Sequence, residues 1–150
     1  MRLAIAKARE GIAAGQTPFG ACIERHGQVI SCEHNAVWQT TDITAHAEIH
    51  AIRQACRSLS SIDLSGCVIY STCEPCPMCF SACHWARISR IVYGANIQDA
   101  LRIGFNELEI PNMLLKKLSA SAVEIVSDFL REEAVALFQL FDQQSKKRTY

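Results

Sequence analysis

The sequence predicts an α/β fold, a layered sheet with helices on both faces, and three observations predict it. Segments rich in β-formers alternate with segments of helical period along the chain. Between residues 67 and 95 an apolar run, a helical stretch and a second apolar run follow one another, the order of a parallel strand pair. Hydrophobic residues make up 49% and charged residues 20%, enough to build a full core. At 150 residues the chain has the length of a single domain over 1–150, which buries roughly two-thirds of its unfolded surface without disulfides.

Taken in order, Leu3, Ile5, Ala8, Ile12 and Ala13 make an amphipathic helix over 3–14 that stops at Gly15. The run FGACIERHGQVISCEHN, broken at His26-Gly27-Gln28, predicts a two-stranded antiparallel hairpin. Thr44 serves as N-cap for the helix AHAEIHAIRQACRSL, whose Ala47, Ile49, Ile52, Ala55 and Cys56 recur at near-helical spacing. After the turn SSIDLSG, CVIYST is a buried strand. Pro75 and Pro77 open the helix PMCFSACHWAR, and IVYGA is the next strand. Downstream, NELEIPNMLLKKL is loop plus helix, AVEIVS a strand and FLREEAVALFQLFDQQ a final amphipathic helix.

Fifteen basic residues balance fifteen acidic ones, so no broad positive field steers the chain onto a phosphate backbone, which weighs against a nucleic-acid partner. Eight cysteines accompany an N-terminal stretch with charges throughout and no apolar signal region, so a reducing cytoplasm is expected. No apolar run reaches the roughly 18–20 residues that span a bilayer, and no membrane association is expected.

The chemistry is carried by two linked motifs. Cys76-Pro77-Met78-Cys79 is a C-x-x-C at a predicted helix start, where unpaired backbone N–H groups favour two thiolates on one ion. About thirty residues upstream, His46-Ala47-Glu48 opens another helix. A catalytic zinc takes three protein ligands and leaves a fourth position for water. His46, Cys76 and Cys79 supply the three, one Zn²⁺ per subunit, and the H-x-E…P-C-x-x-C pattern makes Glu48 the proton shuttle. On a regular helix Glu48 points about 200° away from His46, so the site has to lie at the helix mouth. A redox C-x-x-C, or a structural zinc closed by Cys73, is the competing reading. Cys22, Cys32, Cys56, Cys67 and Cys83 are expected as core residues.

Over about Pro18–Gly94 the segments PFGA, TAHAEIHAIRQAC, CEPCPMC and ARISRIVYGA resemble the cytidine-deaminase-like superfamily, in the branch of bacterial guanine deaminases and tRNA adenosine deaminases. The resemblance implies a three-layer α/β/α fold with a central five-stranded mixed sheet, a homodimer, and hydrolytic deamination of a small heterocyclic base. It also implies substrate contacts by Asn35 and Ala47, by Phe19 in PFGA and by Trp85 in HWAR. Glu107 stands where guanine deaminases carry a second acid, with Glu109 and Asp99 as rivals. Tyr150 resembles a C-terminal tyrosine that closes the pocket. Asp42-Ile43-Thr44-Ala45-His46 lacks the family's proline at Ile43, which changes the loop before the ligand more than the chemistry.

Guanine, converted to xanthine and ammonia, is the favoured substrate. A tRNA wobble adenosine, cytosine or a triazine-like ring, and a non-catalytic binding protein on the same fold are the alternatives.

Overall fold

A computed structural model describes residues 1–150. The elements run α1 (Arg2–Ala13), β1 (Gly20–Arg25), β2 (Gln28–His34), α2 (Val37–Thr40), α3 (Ala47–Leu59), β3 (Cys67–Cys73), α4 (Pro77–Trp85), β4 (Arg90–Ala95), α5 (Ile97–Arg102), α6 (Asn112–Ser119), β5 (Glu124–Val126) and α7 (Arg131–Asp142). The strands form one five-stranded mixed sheet in the order β2-β1-β3-β4-β5. β1 is antiparallel to β2 and β3, whereas β3, β4 and β5 are parallel. The expected α/β layering and the parallel pair flanking α4 are both present.

His26 and Gly27 have φ of +53° and +81°, so the β1–β2 hairpin closes through a two-residue turn of the kind that matches strand twist. Helices α3 and α4 cover one face of the sheet. There Ala47, Ala51 and Ala55 recur every fourth residue, a stripe of small side chains that lets α3 lie close over Ile23, Ile69 and Ile91. Each such fully buried isoleucine contributes about 1.5–3 kcal/mol. Helices α1 and α7 cover the other face through Ile5, Ala8, Ile12, Leu137, Phe138 and Phe141. Two glycines permit that approach: a Cβ on Gly20 would collide with the Ala4 carbonyl of α1, and one on Gly94 would stand 2.5 Å from the Ala134 methyl of α7.

Two expectations need correction. Thr44 does not cap α3, because its N–H and hydroxyl both bond to Asp42 Oδ1, and His46 takes the N-cap position without a side-chain cap. The short helices α2 and α5 add to the expected elements. Cys22 and Cys32 are not separate core thiols: they stand opposite one another in the β1–β2 ladder and are joined as a disulfide. No helix is long and apolar enough to cross a membrane.

Candidate active site

His46 and Cys76 occupy equivalent places on two helices. Each is the N-cap residue with extended backbone, φ −67° and ψ 153° for His46 and φ −61° and ψ 166° for Cys76. Leaving His46 outside α3 removes the 200° divergence expected of a regular helix, so its ring and the Glu48 carboxylate turn to the same place. β3 delivers Cys76 through the turn Glu74-Pro75, and Pro77 at the first helical position starts α4 with its fixed φ. The turn is clamped from α6: the Asn112 N–H donates to Glu74 Oε1 at 2.8 Å, and Asn112 Nδ2 donates to the Pro75 carbonyl at 2.6 Å.

The donor atoms of His46, Cys76 and Cys79 lie within 4.8 Å of one another. His46 Nδ1 is 3.7 Å from Cys76 Sγ and 3.6 Å from Cys79 Sγ. A tetrahedral zinc with bonds of about 2.0–2.1 Å to nitrogen and about 2.3 Å to sulfur spaces N and S about 3.6 Å apart. The side chains fit that ion. Cys73 does not join them as a fourth ligand. Its thiol faces the Asn96 carbonyl at 3.5 Å, which leaves the three-ligand set with an open position.

The electrostatics suit the same ion. A hydrogen bond from the Cys79 thiol, helped by His46, holds the Cys76 thiol down at about 4, so Cys76 is a thiolate. The same bond to Cys76, with burial, keeps Cys79 protonated until a metal displaces the proton. Burial lowers the His46 value, but Cys76 and Glu48 outweigh it and the net shift is upward. Burial also raises Glu48, which is 5% exposed, against the opposing pull of His46.

Glu107 lines a cavity of about 240 Å³ together with Ile43, His46, Cys76, Pro77, Met78, Asn106, Leu108 and Tyr150. Burial and the Cys76 charge push the Glu107 carboxyl up to about 7. Its two rivals sit elsewhere. Asp99 closes a capping box with Asn96 and pairs with Arg102 and Arg131, while Glu109 accepts from Gln98. A smaller recess brings Phe19 beside His46, Glu48, Cys73, Cys76 and Glu107, with the Phe19 ring edge-on to Phe105 at 4.9 Å.

Tyr150 packs into the wall of the cavity. Its ring stands 5.6 Å from that of His46 and 5.5 Å from that of Phe105, and its carbonyl accepts from the Asn106 N–H at 2.9 Å. Asn35 is fully buried. Its Oδ1 is committed to the Val37 N–H, and its Nδ2 donates to the Tyr150 hydroxyl at 2.7 Å. Ala47 is also fully buried, its methyl packed in the core between α3 and the sheet. Trp85 is the residue the structure does not bring to the site. It is 78% exposed at the end of α4 and borders a separate apolar groove with Ile49, Ile52, Cys56 and Ile62. Helix α4 carries apolar residues on every side, so its sequence gives no sign of which face meets the cavity.

Sequence reasoning missed Ser71, whose hydroxyl donates to Glu48 Oε1 at 2.8 Å, and the clamp from Asn112. The signal for Ser71 was a polar Ser-Thr pair ending the otherwise apolar strand CVIYST.

Residues 1–95 match the family described as the cytidine and deoxycytidylate deaminase zinc-binding region. Guanine deaminase of Bacillus subtilis (strain 168) is 36% identical over 154 residues, covering 100% of this chain and 96% of its own. A tRNA-specific adenosine deaminase of Aquifex aeolicus (strain VF5) is 41% identical over 95 residues, 63% of each chain. Among solved structures, a guanine deaminase from Nitrosomonas europaea superposes with a TM-score of 0.87 at 30% identity, over 94% of this chain and 81% of that one. The match of residues 1–95 and the full-length similarity to a curated relative, with a donor set spaced for zinc, place the chain in the cytidine and deoxycytidylate deaminase zinc-binding family.

Proposed function

We propose that the protein deaminates guanine to xanthine and ammonia, with His46, Cys76 and Cys79 holding zinc and Glu48 moving the protons. The observation that carries the reading is the Glu107 carboxylate in the wall of the same cavity as His46 and Cys76. Guanine presents its N1–H and N2–H₂ donors side by side, and a carboxylate accepts both. At about 240 Å³ the cavity is below the ~300–1,000 Å³ of pockets for drug-sized ligands, which suits a free base.

Zinc, when bound, supplies a water acidified toward neutral pH. Glu48 takes the proton of the attacking water as its oxygen bonds to the carbon bearing the amine, and passes that proton to the neighbouring ring nitrogen. A second proton, moved by Glu48 to the amine, lets the C–N bond break and ammonia leave as the carbonyl forms. Phe19 supplies an apolar wall. Asn35 offers its second N–H to the base, and Ala47 offers its backbone. Tyr150 closes the mouth over the base.

A second reading, a tRNA wobble-adenosine deaminase, is favoured by relatives of that name and by Lys146, Lys147 and Arg148 beside the terminal Tyr150. Ammonia release from guanine, adenine, cytosine, their nucleosides and unmodified tRNA, offered in parallel to zinc-loaded protein, separates the two. Turnover of guanine alone supports the first reading, and turnover of tRNA alone overturns it. We read the protein further as a cytoplasmic homodimer. A second copy would cover the groove of Ile49, Ile52, Ile62 and Trp85, and light scattering tests it. Six of the eight cysteines are free, which suits a reducing compartment, and only the Cys22–Cys32 pair runs against it.

A further inference from the structure

We propose that Ser71 is a positioning residue for Glu48: its hydroxyl pins Oε1, so that Oε2 alone carries the protons.

Glu48 has two side-chain neighbours at hydrogen-bonding distance, Ser71 and a Cys79 thiol whose one proton is shared with Cys76. Ser71 Oγ reaches Oε1 at 2.8 Å, and Cys79 Sγ reaches Oε2 at 3.4 Å. The two are not equivalent once a metal binds. A cysteine ligates as the thiolate, so Cys79 then has no proton to donate, and Ser71 is the one that remains. Oε2, 3.4 Å from the Cys79 sulfur, is thereby left free to take and give protons, while Oε1 is held by the Ser71 hydroxyl.

The anchor is rigid. Ser71 is 1% exposed on the central strand β3, in register with Ala21 of β1 on one side and Tyr93 of β4 on the other. β3 continues directly into Glu74-Pro75-Cys76, so one strand sets both the metal-binding turn and the orientation of the proton carrier. A free Glu side chain samples several rotamers, and a carboxylate that must take a proton in one place and release it in two others loses rate whenever it leaves the productive one.

Ser31 provides the matched control. It is another buried serine bonded to α3, with Oγ 2.8 Å from the Ala51 carbonyl, but it does not touch Glu48.

The test compares Ser71→Ala, Ser71→Thr and Ser31→Ala by zinc content, by crystal structures of the zinc-loaded proteins and by steady-state kinetics on the base the wild type turns over. Ser71→Ala should lower kcat by about 10- to 100-fold, the usual cost of removing a partner behind a reacting group, with KM and zinc stoichiometry unchanged. Its Glu48 should occupy more than one rotamer. Ser71→Thr should restore kcat and the single rotamer, and Ser31→Ala should alter neither. If the alanine protein does not fold, Ser71→Thr against Ser71→Val makes the same comparison with shape held constant. A wild-type kcat and single Glu48 rotamer in Ser71→Ala would overturn the proposal, as would loss of zinc in step with loss of rate. The activity arm rests on the deaminase reading. If the wild type turned over no base, that reading would fail, while the Glu48 rotamers in the crystals would still decide the role of Ser71.

Discussion

Replacing Glu107 with Gln tests the substrate reading at its centre. The substitution keeps shape and volume but exchanges one carboxylate oxygen for an NH₂ group, which would face a guanine N–H donor to donor. The wild-type pair of charge-assisted hydrogen bonds is reduced to one neutral bond. A hydrogen bond to a charged group contributes about 1.5–3 kcal/mol, and every 1.36 kcal/mol is tenfold in rate, so full burial would give a loss of about 10- to 150-fold. Glu107 is only partly buried at the cavity wall, so solvent screening places the expected fall in kcat/KM for guanine nearer about 10- to 30-fold. Adenine, whose N1 is an acceptor, should gain relative to guanine because the new amide donates to it. The assay is ammonia release by zinc-loaded wild-type and E107Q proteins on both bases. An unchanged guanine kcat/KM, or an unchanged ratio between the bases, would refute the assignment of Glu107 to the N1–N2 edge.

Other expectations follow from the same geometry. Glu48→Ala should retain zinc and lose about 10²- to 10⁴-fold in kcat, read from metal content and turnover on one preparation; full activity would remove Glu48 from the proton path. Deleting Arg148–Tyr150 removes the Tyr150 ring from beside His46 and frees Asn35 Nδ2, so guanine turnover should fall while the guanosine-to-guanine ratio rises; a constant ratio would mean that the terminus does not set substrate size. In the metal-free protein burial and the Cys76 charge raise the Glu107 carboxyl from the ordinary 4.5 to about 7, so the folded state binds its proton more tightly than the unfolded chain does. Its stabilising contribution is complete below about pH 4.5 and is lost as the pH rises through about 7. The urea midpoint of wild type minus that of E107Q should therefore decline across that window, and a flat difference would contradict the shift.

The elements that were legible in the sequence are those whose own residues determine them. The near-helical recurrence of Ala47, Ile49, Ile52, Ala55 and Cys56, the β-branched run ending in Ser71-Thr72 and the pair Pro75 and Pro77 each announce a helix or strand locally. Those not legible depend on partners. Without an irregularity, a ladder begun at the His26-Gly27 turn would set Cys22 opposite Ser31. The register shift between Ile23 and Glu24 brings it to Cys32 instead, and a one-residue bulge leaves no mark in composition or period. Asp99 lies in the stretch of chain where a second acid is expected. Asn96-x-x-Asp99 is in fact the sequence form of the capping box that starts α5, and a helix of six residues is too short to show a period. The HWAR resemblance points Trp85 toward the site, but its placement depends on which side of α4 faces the cavity, and that is set by packing.

The spacing of the two motifs has a common physical origin. His46 and Cys76 are both N-cap residues with extended backbone, and Glu48 and Cys79 follow in the first turns of α3 and α4. A residue at the N-cap is free of helical φ and ψ, so its side chain can turn across the helix mouth toward a group two or three positions on. Two such mouths facing each other place four functional side chains around one point with a single extended residue at each. The same arrangement aims the positive ends of two helix dipoles at a cluster that carries thiolate and carboxylate charge, which offsets part of the cost of burying it. The motifs H-x-E and P-C-x-x-C thus record a geometry as well as a ligand set. Shifting either ligand into its helix, by moving the start of α3 or α4 by one residue, would turn its side chain about 100° from the metal. The Asn112 clamp on Glu74 and Pro75 guards against that shift at the start of α4, from a helix that contributes no ligand of its own.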